Sequence, residues 1–232
     1  MIFKIYTLFP DFFGTPLSSG LMGKAVNSGI ITFKIIDIRE YSEDKFKRCD
    51  DYPFGGGSGM VLTPEPLFRA IRENENSGSK IIYASPSGKG LNQTFVKELS
   101  QLKEVSIICG HYEGIDQRVI DTFVDYEISI GDYVLSGGEY AALVIADAVA
   151  RNIPGFMSNR DSLVEESFES DLLEYPHYSR PAEFMGLRVP DVLLGGNHQD
   201  IASWRYNKRI EKTKGNRPDL YKKFLKRKLL GE

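Results

Sequence analysis

Five short runs rich in β-branched and other apolar residues, at 2–8, 31–38, 80–84, 104–109 and 124–130, alternate along the chain with helix-like segments at 64–73, 92–102, 116–123 and 138–152. Strands that alternate with helices are joined by crossovers rather than hairpins. The pattern therefore predicts an α/β fold, a parallel sheet covered by helices on both faces. The clearest helix starts at Gly138, where Ala141, Ala142, Leu143, Ile145, Ala146 and Val149 supply a broad apolar face before Pro154-Gly155 stops it.

The next run, FMSNRDSLVEESFESD, is polar and acidic with no apolar period, so residues 157–171 read as a flexible linker. Beyond it, 198–212 and 219–230 are both amphipathic. In the second, Leu220, Phe224, Leu225 and Leu229 share one face and lysines take the other. The expected organisation is a main domain at 1–156, the linker at 157–171 and a small helical domain at 172–232, within the capacity of a 232-residue chain.

Net charge is only −3, but residues 200–232 hold eleven Lys or Arg against four acids, which leaves this tail at +7 and the rest at −10. Such asymmetry fits an appendage that faces a polyanion as well as it fits a solvated basic helix. The N-terminal MIFKIYTLFPDFF lacks a basic leader, and no stretch is long enough to span a bilayer, so a cytoplasmic protein without a membrane partner is expected. Cys49 and Cys109 lie in no zinc or disulfide spacing and read as buried, reduced thiols.

Three loops follow predicted strands, the last two of them glycine-bearing: Tyr83-Ala84-Ser85-Pro86, Gly110-His111-Tyr112-Glu113-Gly114, and the run from Ser129 through Gly131-Asp132-Tyr133-Val134-Leu135 to Gly137-Gly138-Glu139. In an open parallel sheet such loops gather at the carboxyl edge, where ligands bind. Glycines let the backbone approach closely, backbone NH and C=O groups can read an adenine edge, and Ile130, Leu135 and Pro86 can wall its faces. No G-x-G-x-x-G opens a helix, no P-loop is present and no G-x-S-x-G elbow occurs, which excludes the usual dinucleotide, triphosphate and serine-nucleophile signatures. A fourth cluster, Gly55-Gly56-Gly57-Ser58-Gly59, is too glycine-rich for a regular element; the nearby Lys45, Lys47 and Arg48 make it either a connection or a surface met by RNA. The strip Tyr175-Pro176-His177-Tyr178-Ser179-Arg180-Pro181 sets aromatic rings beside a cation, which suits unpaired bases or domain docking equally.

As a set, DDYPFGGGSGM, YASP, CGHYEGID, SIGDYVLSGGE, LLEYPHYSRP and the NH-x-x-I-x-x-WR stretch at 197–205 resemble the bacterial tRNA (guanine-N1)-methyltransferase family, the TrmD type of the SPOUT methyltransferases. The resemblance runs over nearly the whole chain. It implies a deep trefoil knot, a homodimer with a composite active site, magnesium for activity, and methyl transfer from S-adenosylmethionine to the guanine immediately 3′ of the anticodon in tRNA. It implies cofactor binding by Tyr83, Ser85, Pro86, Gly110, Tyr112, Glu113, Gly114, Ile130, Gly131, Asp132, Tyr133, Val134, Leu135, Gly137 and Gly138. RNA binding would fall to Lys45, Asp50, Gly56, Gly57, His177, Tyr178, Arg180, Arg205 and Lys208.

Methylation at N1 removes a ring proton while charge builds on O6, so it needs a base and a donor. By resemblance the donor is Arg151. Glu166 stands where the family usually has an aspartate base, with Asp161, Glu165 and Asp171 as neighbouring acids. Phe46, where a histidine is common, and Gly195, where a serine is usual, are further departures. A catalytically weak RNA-binding protein that keeps the fold is the alternative.

Overall fold

In the computed structural model the chain divides into two compact units, Met1–Ser158 and Asn159–Glu232, and the structure describes residues 1–76, 78–157, 166–168 and 170–230. In chain order the first unit contains β1 (Ile2–Thr7), α1 (Gly14–Ser18), α2 (Gly20–Asn27), β2 (Thr32–Asp37), the short strands β3 (Asp50–Asp51) and β4 (Val61–Leu62), α3 (Pro64–Asn74), β5 (Lys80–Gly90), α4 (Gln93–Ser100), β6 (Glu104–Cys109), α5 (Gln117–Phe123), β7 (Tyr126–Ser129) and α6 (Glu139–Ala150). The five expected strands form one wholly parallel sheet in the order β2-β1-β6-β5-β7.

Period-two alternation divides the strand side chains between two cores. Phe3, Ile5, Ile82, Val105, Ile107 and Ile128 pack with Ala25 of α2, Val96 and Leu99 of α4, and the apolar face of α6. Tyr6, Ile81, Tyr83 and Ile108 point the other way, onto Leu67 and Ile71 of α3 and Val119 of α5. Both faces are covered, as the near-continuous apolar strands require. Ala142, Ala146 and Ala150 are fully buried, and their small side chains let α6 lie close on the sheet.

One polar cluster interrupts the second core. Lys4, 1% exposed, donates to Glu104 Oε1 at 2.5 Å and to the Asn74 carbonyl, with Glu75 Oε2 at 3.5 Å. Glu75 in turn accepts from the Tyr6 hydroxyl at 2.6 Å, from Ser106 Oγ at 2.5 Å and from Ser79. Burial, reinforced by the neighbouring Glu75, pushes the Tyr6 hydroxyl well above its ordinary value. A buried ammonium is tolerated because carboxylates and carbonyls surround it, and the result pins the end of α3 to β1 and β6.

Connectivity creates the cleft. β5 leads through α4 on the first face to β6, whereas β6 leads through α5 on the opposite face to β7. Neighbouring strands thus send their chains to opposite sides of the sheet, which opens a crevice beyond their carboxyl ends. Two local features depart from the sequence expectation. Helices α1 and α2 were not foreseen, and β5 continues past Ala84: it pairs with β7 up to Ala84↔Ile128 and resumes at Lys89↔Ile128, so that residues 85–88 loop out of the sheet.

The second unit contains the hairpin strands β8 (Glu183–Phe184) and β9 (Leu187–Arg188), then α7 (Asp191–Leu194), α8 (His198–Asn216) and α9 (Pro218–Leu230). The last residues of the acidic run fold into this unit. Ser167 Oγ accepts the Glu174 amide at 3.0 Å, Ser170 Oγ accepts Arg209 Nη2 at 2.8 Å, and Asp171 is buried between Lys223 Nζ at 2.7 Å and Arg227 Nη1 at 2.9 Å. The apolar face expected on α9 is only partly used: Leu220 and Phe224 are half-buried, but Leu225 and Leu229 stay exposed because two helices and a hairpin offer too little surface to cover them. No helix among the described residues is long and apolar enough to cross a membrane.

Candidate functional site

The three loops meet at the carboxyl ends of β5, β6 and β7 and enclose a cavity of about 440 Å³. Of the fifteen residues that the resemblance assigns to the cofactor, all but Asp132 line it. The first loop is the excursion from β5, where Ser85 and Ser87 share a hydroxyl contact of 2.7 Å. The second and third loops are stitched together: the Gly138 amide donates to the Gly110 carbonyl at 2.9 Å, and His111 forms an antiparallel bridge with Gly137.

Space, more than dihedral freedom, dictates glycine here. A Cβ on Gly138 would stand 2.7 Å from the Cys109 Cα, and one on Gly110 would meet the Tyr83 ring at 2.8 Å. The Tyr83 hydroxyl is pushed up by burial, against the pull of the Ile115 backbone, so it stays a neutral donor and acceptor at the pocket wall. Burial also raises the Cys109 thiol, with the Glu139 carboxylate adding to it, and that thiol is inert.

Three residues at or next to this cavity, of which only His111 lines it, carry no role in the sequence reading. His111 lies among the rings of Phe9 and Tyr112, at 5.0 and 4.9 Å, and its buried Nδ1 has no hydrogen-bond partner. Glu139, the first residue of α6, is 5% exposed and accepts from Thr7 Oγ1 at 2.8 Å, while Thr7 Oγ1 also accepts the Phe9 amide at 2.9 Å. An acid immediately after Gly-Gly at a helix N-terminus is the signal that marks it. Gly88 is the third: a Cβ there would come within 2.4 Å of the β7 backbone at Glu127 and Ile128.

The fourth glycine cluster is joined to the same site. It is the tip between β3 and β4, and β4 docks on the second loop: Leu62 donates to the Gly114 carbonyl at 3.0 Å, Asp116 donates to Leu62 at 3.0 Å and Glu113 to Met60 at 3.0 Å. Gly59, at φ +95, lies against the Glu113 side chain. Asp50 stands at the hairpin stem, and burial first and the Asp50 charge second push the Tyr112 hydroxyl up. Gly56 and Gly57 are exposed at the tip, and Lys45 Nζ lies 4.7 Å from the exposed Phe46 ring.

In the second unit, His177 Nε2 contacts Glu174 Oε1 at 2.8 Å, Tyr178 is half-exposed 6.3 Å from Trp204, Arg180 is exposed, and Arg205 stacks on Tyr175 at 4.8 Å. Lys208 is held by Glu211 at 2.6 Å. Arg151 caps the C-terminus of α6 half-buried, and Glu166 is half-buried in the other unit. Asp161 and Glu165 lie outside the described residues. Asp171 is a poor base: although burial raises its carboxyl, hydrogen bonds from Lys223 and Arg227 outweigh this and hold it below the ordinary carboxylate value. Among the described residues no group of three or more His, Cys, Asp or Glu side chains is placed to hold a metal ion.

The family model of the tRNA (guanine-1)-methyltransferase TrmD matches residues 1–223. The chain belongs to the tRNA (guanine-1)-methyltransferase family. Within it, a relative from Borreliella burgdorferi is 51% identical over 100% of this chain and 97% of its own, and one from Clostridioides difficile is 49% identical over 96% and 98%. A third, from Ruminiclostridium cellulolyticum, is 46% identical over 99% and 100%. Each of the three is described as a tRNA (guanine-N(1)-)-methyltransferase. The three-loop cavity lies within the matched residues.

Proposed function

We propose that the protein transfers a methyl group from S-adenosylmethionine to N1 of the guanine immediately 3′ of the anticodon in tRNA. The three-loop cavity of about 440 Å³ is the observation that carries this reading, because its size, glycine-lined approach and convergent backbone groups suit a nucleoside ligand. The orphaned Nδ1 of His111 adds a polar position that a ligand group would satisfy. Tyr83, Ser85, Pro86, the Gly110–Gly114 loop and the Ile130–Gly138 loop would hold the cofactor, which when bound supplies an electrophilic methyl group.

The remaining chemistry belongs to the chain's own side chains. Glu166 takes the proton from guanine N1, and the Arg151 guanidinium donates to O6 as negative charge develops there. His177, Tyr178, Arg180, Arg205 and Lys208, with Lys45, Asp50, Gly56 and Gly57 on the other unit, meet the RNA. A homodimer with a composite site goes with this reading, and the exposure of Tyr140 and Val144 on α6 supports a second copy against that helix. A trefoil knot is supported by the return of Gly137-Gly138 from the sheet's edge strand to pair with Gly110-His111 across the loop after β5. Magnesium is part of the reading through the resemblance alone. Two buried free cysteines accord with a cytoplasmic location.

The test is incubation of purified protein with labelled S-adenosylmethionine and a tRNA that carries guanine at the last anticodon position and at the next one. Label is expected on the second guanine. Cofactor binding without any labelled RNA would overturn the enzyme reading in favour of an RNA-binding protein.

A further inference from the structure

The described residues that line a second cavity, of about 370 Å³, all belong to the C-terminal unit. Tyr175 forms one side, and His198, Ala202, Arg205, Tyr206 and Arg209, which recur at helical spacing along one face of α8, form the other. Among the described residues no carboxylate lines it. The Arg205 guanidinium lies 4.8 Å from the centre of the Tyr175 ring, so the wall offers a preformed flat stack with positive charge. Arg209 is fixed in place, with Nη2 donating to Ser170 Oγ at 2.8 Å and Nε to the Leu173 carbonyl at 3.4 Å.

Aromatic faces beside guanidiniums match a planar base on an anionic backbone. We infer that this cavity receives one unpaired nucleotide of the RNA substrate, distinct from the guanine that is methylated, with its base against the Arg205–Tyr175 stack and its phosphate charge balanced by Arg205 and Arg209. The nucleotide serves as an anchor: it adds affinity and sets the register of the anticodon loop, and takes no part in the chemical step. This inference rests on reading the protein as a tRNA methyltransferase.

Ala202 is exposed on α8, so Ala202→Leu fills the cavity without removing a charge or a helix former. In the full-length protein this variant is expected to raise the KM for tRNA roughly tenfold, the loss of about one stacked base, while affinity for S-adenosylhomocysteine holds. Arg205→Met, which keeps a long stem, is expected to raise KM in the same way. The direct readout is 2-aminopurine placed in turn at each anticodon-loop position other than the target: one position changes emission on binding wild-type protein and fails to do so with Ala202→Leu. An unchanged KM, or no position that responds, overturns the inference while leaving wild-type methylation intact. A dimer that dissociates in Ala202→Leu would also overturn it, by assigning the cavity to a contact between copies. Failure of the wild type to methylate tRNA at all is the separate failure of the functional reading.

Discussion

Gly138→Ala isolates the packing requirement of the pocket from every other effect of glycine. Gly138 has φ −78° and ψ −6°, a conformation any residue adopts, and it sits at the start of α6. Chain entropy alone would make alanine stabilising there by about 0.4–1 kcal/mol. The structure reverses the sign. An added Cβ stands 2.7 Å from the Cys109 Cα and 2.9 Å from the Gly110 nitrogen, and since ordinary contact begins near 3.4 Å the two segments must separate by about 0.7 Å. Both contacts are backbone, so no side chain can swing away. That shift stretches the 2.9 Å hydrogen bond from the Gly138 amide to the Gly110 carbonyl beyond bonding range. Overpacking costs about 1–3 kcal/mol and the lost bond about 1, so after the entropy gain a net destabilisation of about 1–3.5 kcal/mol is expected. The same displacement spreads two of the three loops, so affinity for S-adenosylhomocysteine is expected to fall at least about tenfold. Stability is read from urea unfolding by far-ultraviolet circular dichroism, because Trp204, the single tryptophan, lies in the other unit and would report on that unit. Gly215→Ala is the control: nothing lies within 4 Å of its added Cβ inside α8, and it should gain about 0.5–1 kcal/mol. A Gly138→Ala protein as stable as the wild type, with unchanged ligand affinity, refutes the reasoning.

Glu166→Gln is expected to lower turnover by about 10²–10⁴-fold with no change in cofactor affinity, as measured by single-turnover kinetics and calorimetry; retained turnover would move the base elsewhere. Asp171→Asn is expected to destabilise the C-terminal unit by about 1–2 kcal/mol at neutral pH, since it loses charged hydrogen bonds from two partly exposed cations. Because the folded carboxyl lies below its unfolded value, its contribution is full above the unfolded value and fades as pH falls through the folded one, so tryptophan-monitored acid unfolding of the variant should lack that limb. Lys222→Ala with Lys226→Ala is expected to lower the salt slope of tRNA binding by about 1.5–2 without touching Asp171; an unchanged slope would return α9 to a solvated face. Glu75→Gln is expected to cost about 3 kcal/mol in urea unfolding, because the Lys4 ammonium keeps its burial and loses one of its anions.

The parallel sheet was legible because short apolar runs alternate with helical segments, a pattern that calls for crossover connections. Its order was not, since order depends on which crossover helix takes which face. The cofactor loops were legible as turn-rich segments after strands, two of them glycine-bearing, and fourteen of fifteen assigned residues meet in one cavity. Their cross-links were invisible, because a Gly138–Gly110 backbone bond leaves no trace in residue type. Helices α1 and α2 escaped notice since Gly14, Pro16, Gly20 and Gly23 interrupt any helical period, and only the burial of Met22 and Ala25 against the sheet rewards them. The basic helix was misjudged in part: Lys223 and Arg227 look solvated in a helical wheel but hold a buried aspartate fifty residues away in sequence.

The docking of β4 on the Gly110–Gly114 loop makes the glycine hairpin and the pocket one mechanical unit. Three backbone hydrogen bonds mean that a ligand which stiffens that loop also narrows the motions of the hairpin stem, while the tip stays free to conform to an incoming backbone. Thermodynamic reciprocity then sets a measurable rule: whatever factor S-adenosylhomocysteine adds to the affinity for RNA, RNA must add to the affinity for S-adenosylhomocysteine. Substrates would then load in either order, each making room for the other by ordering the same strand of hydrogen bonds. A ratio of one in both directions would show that the hairpin and the pocket respond independently.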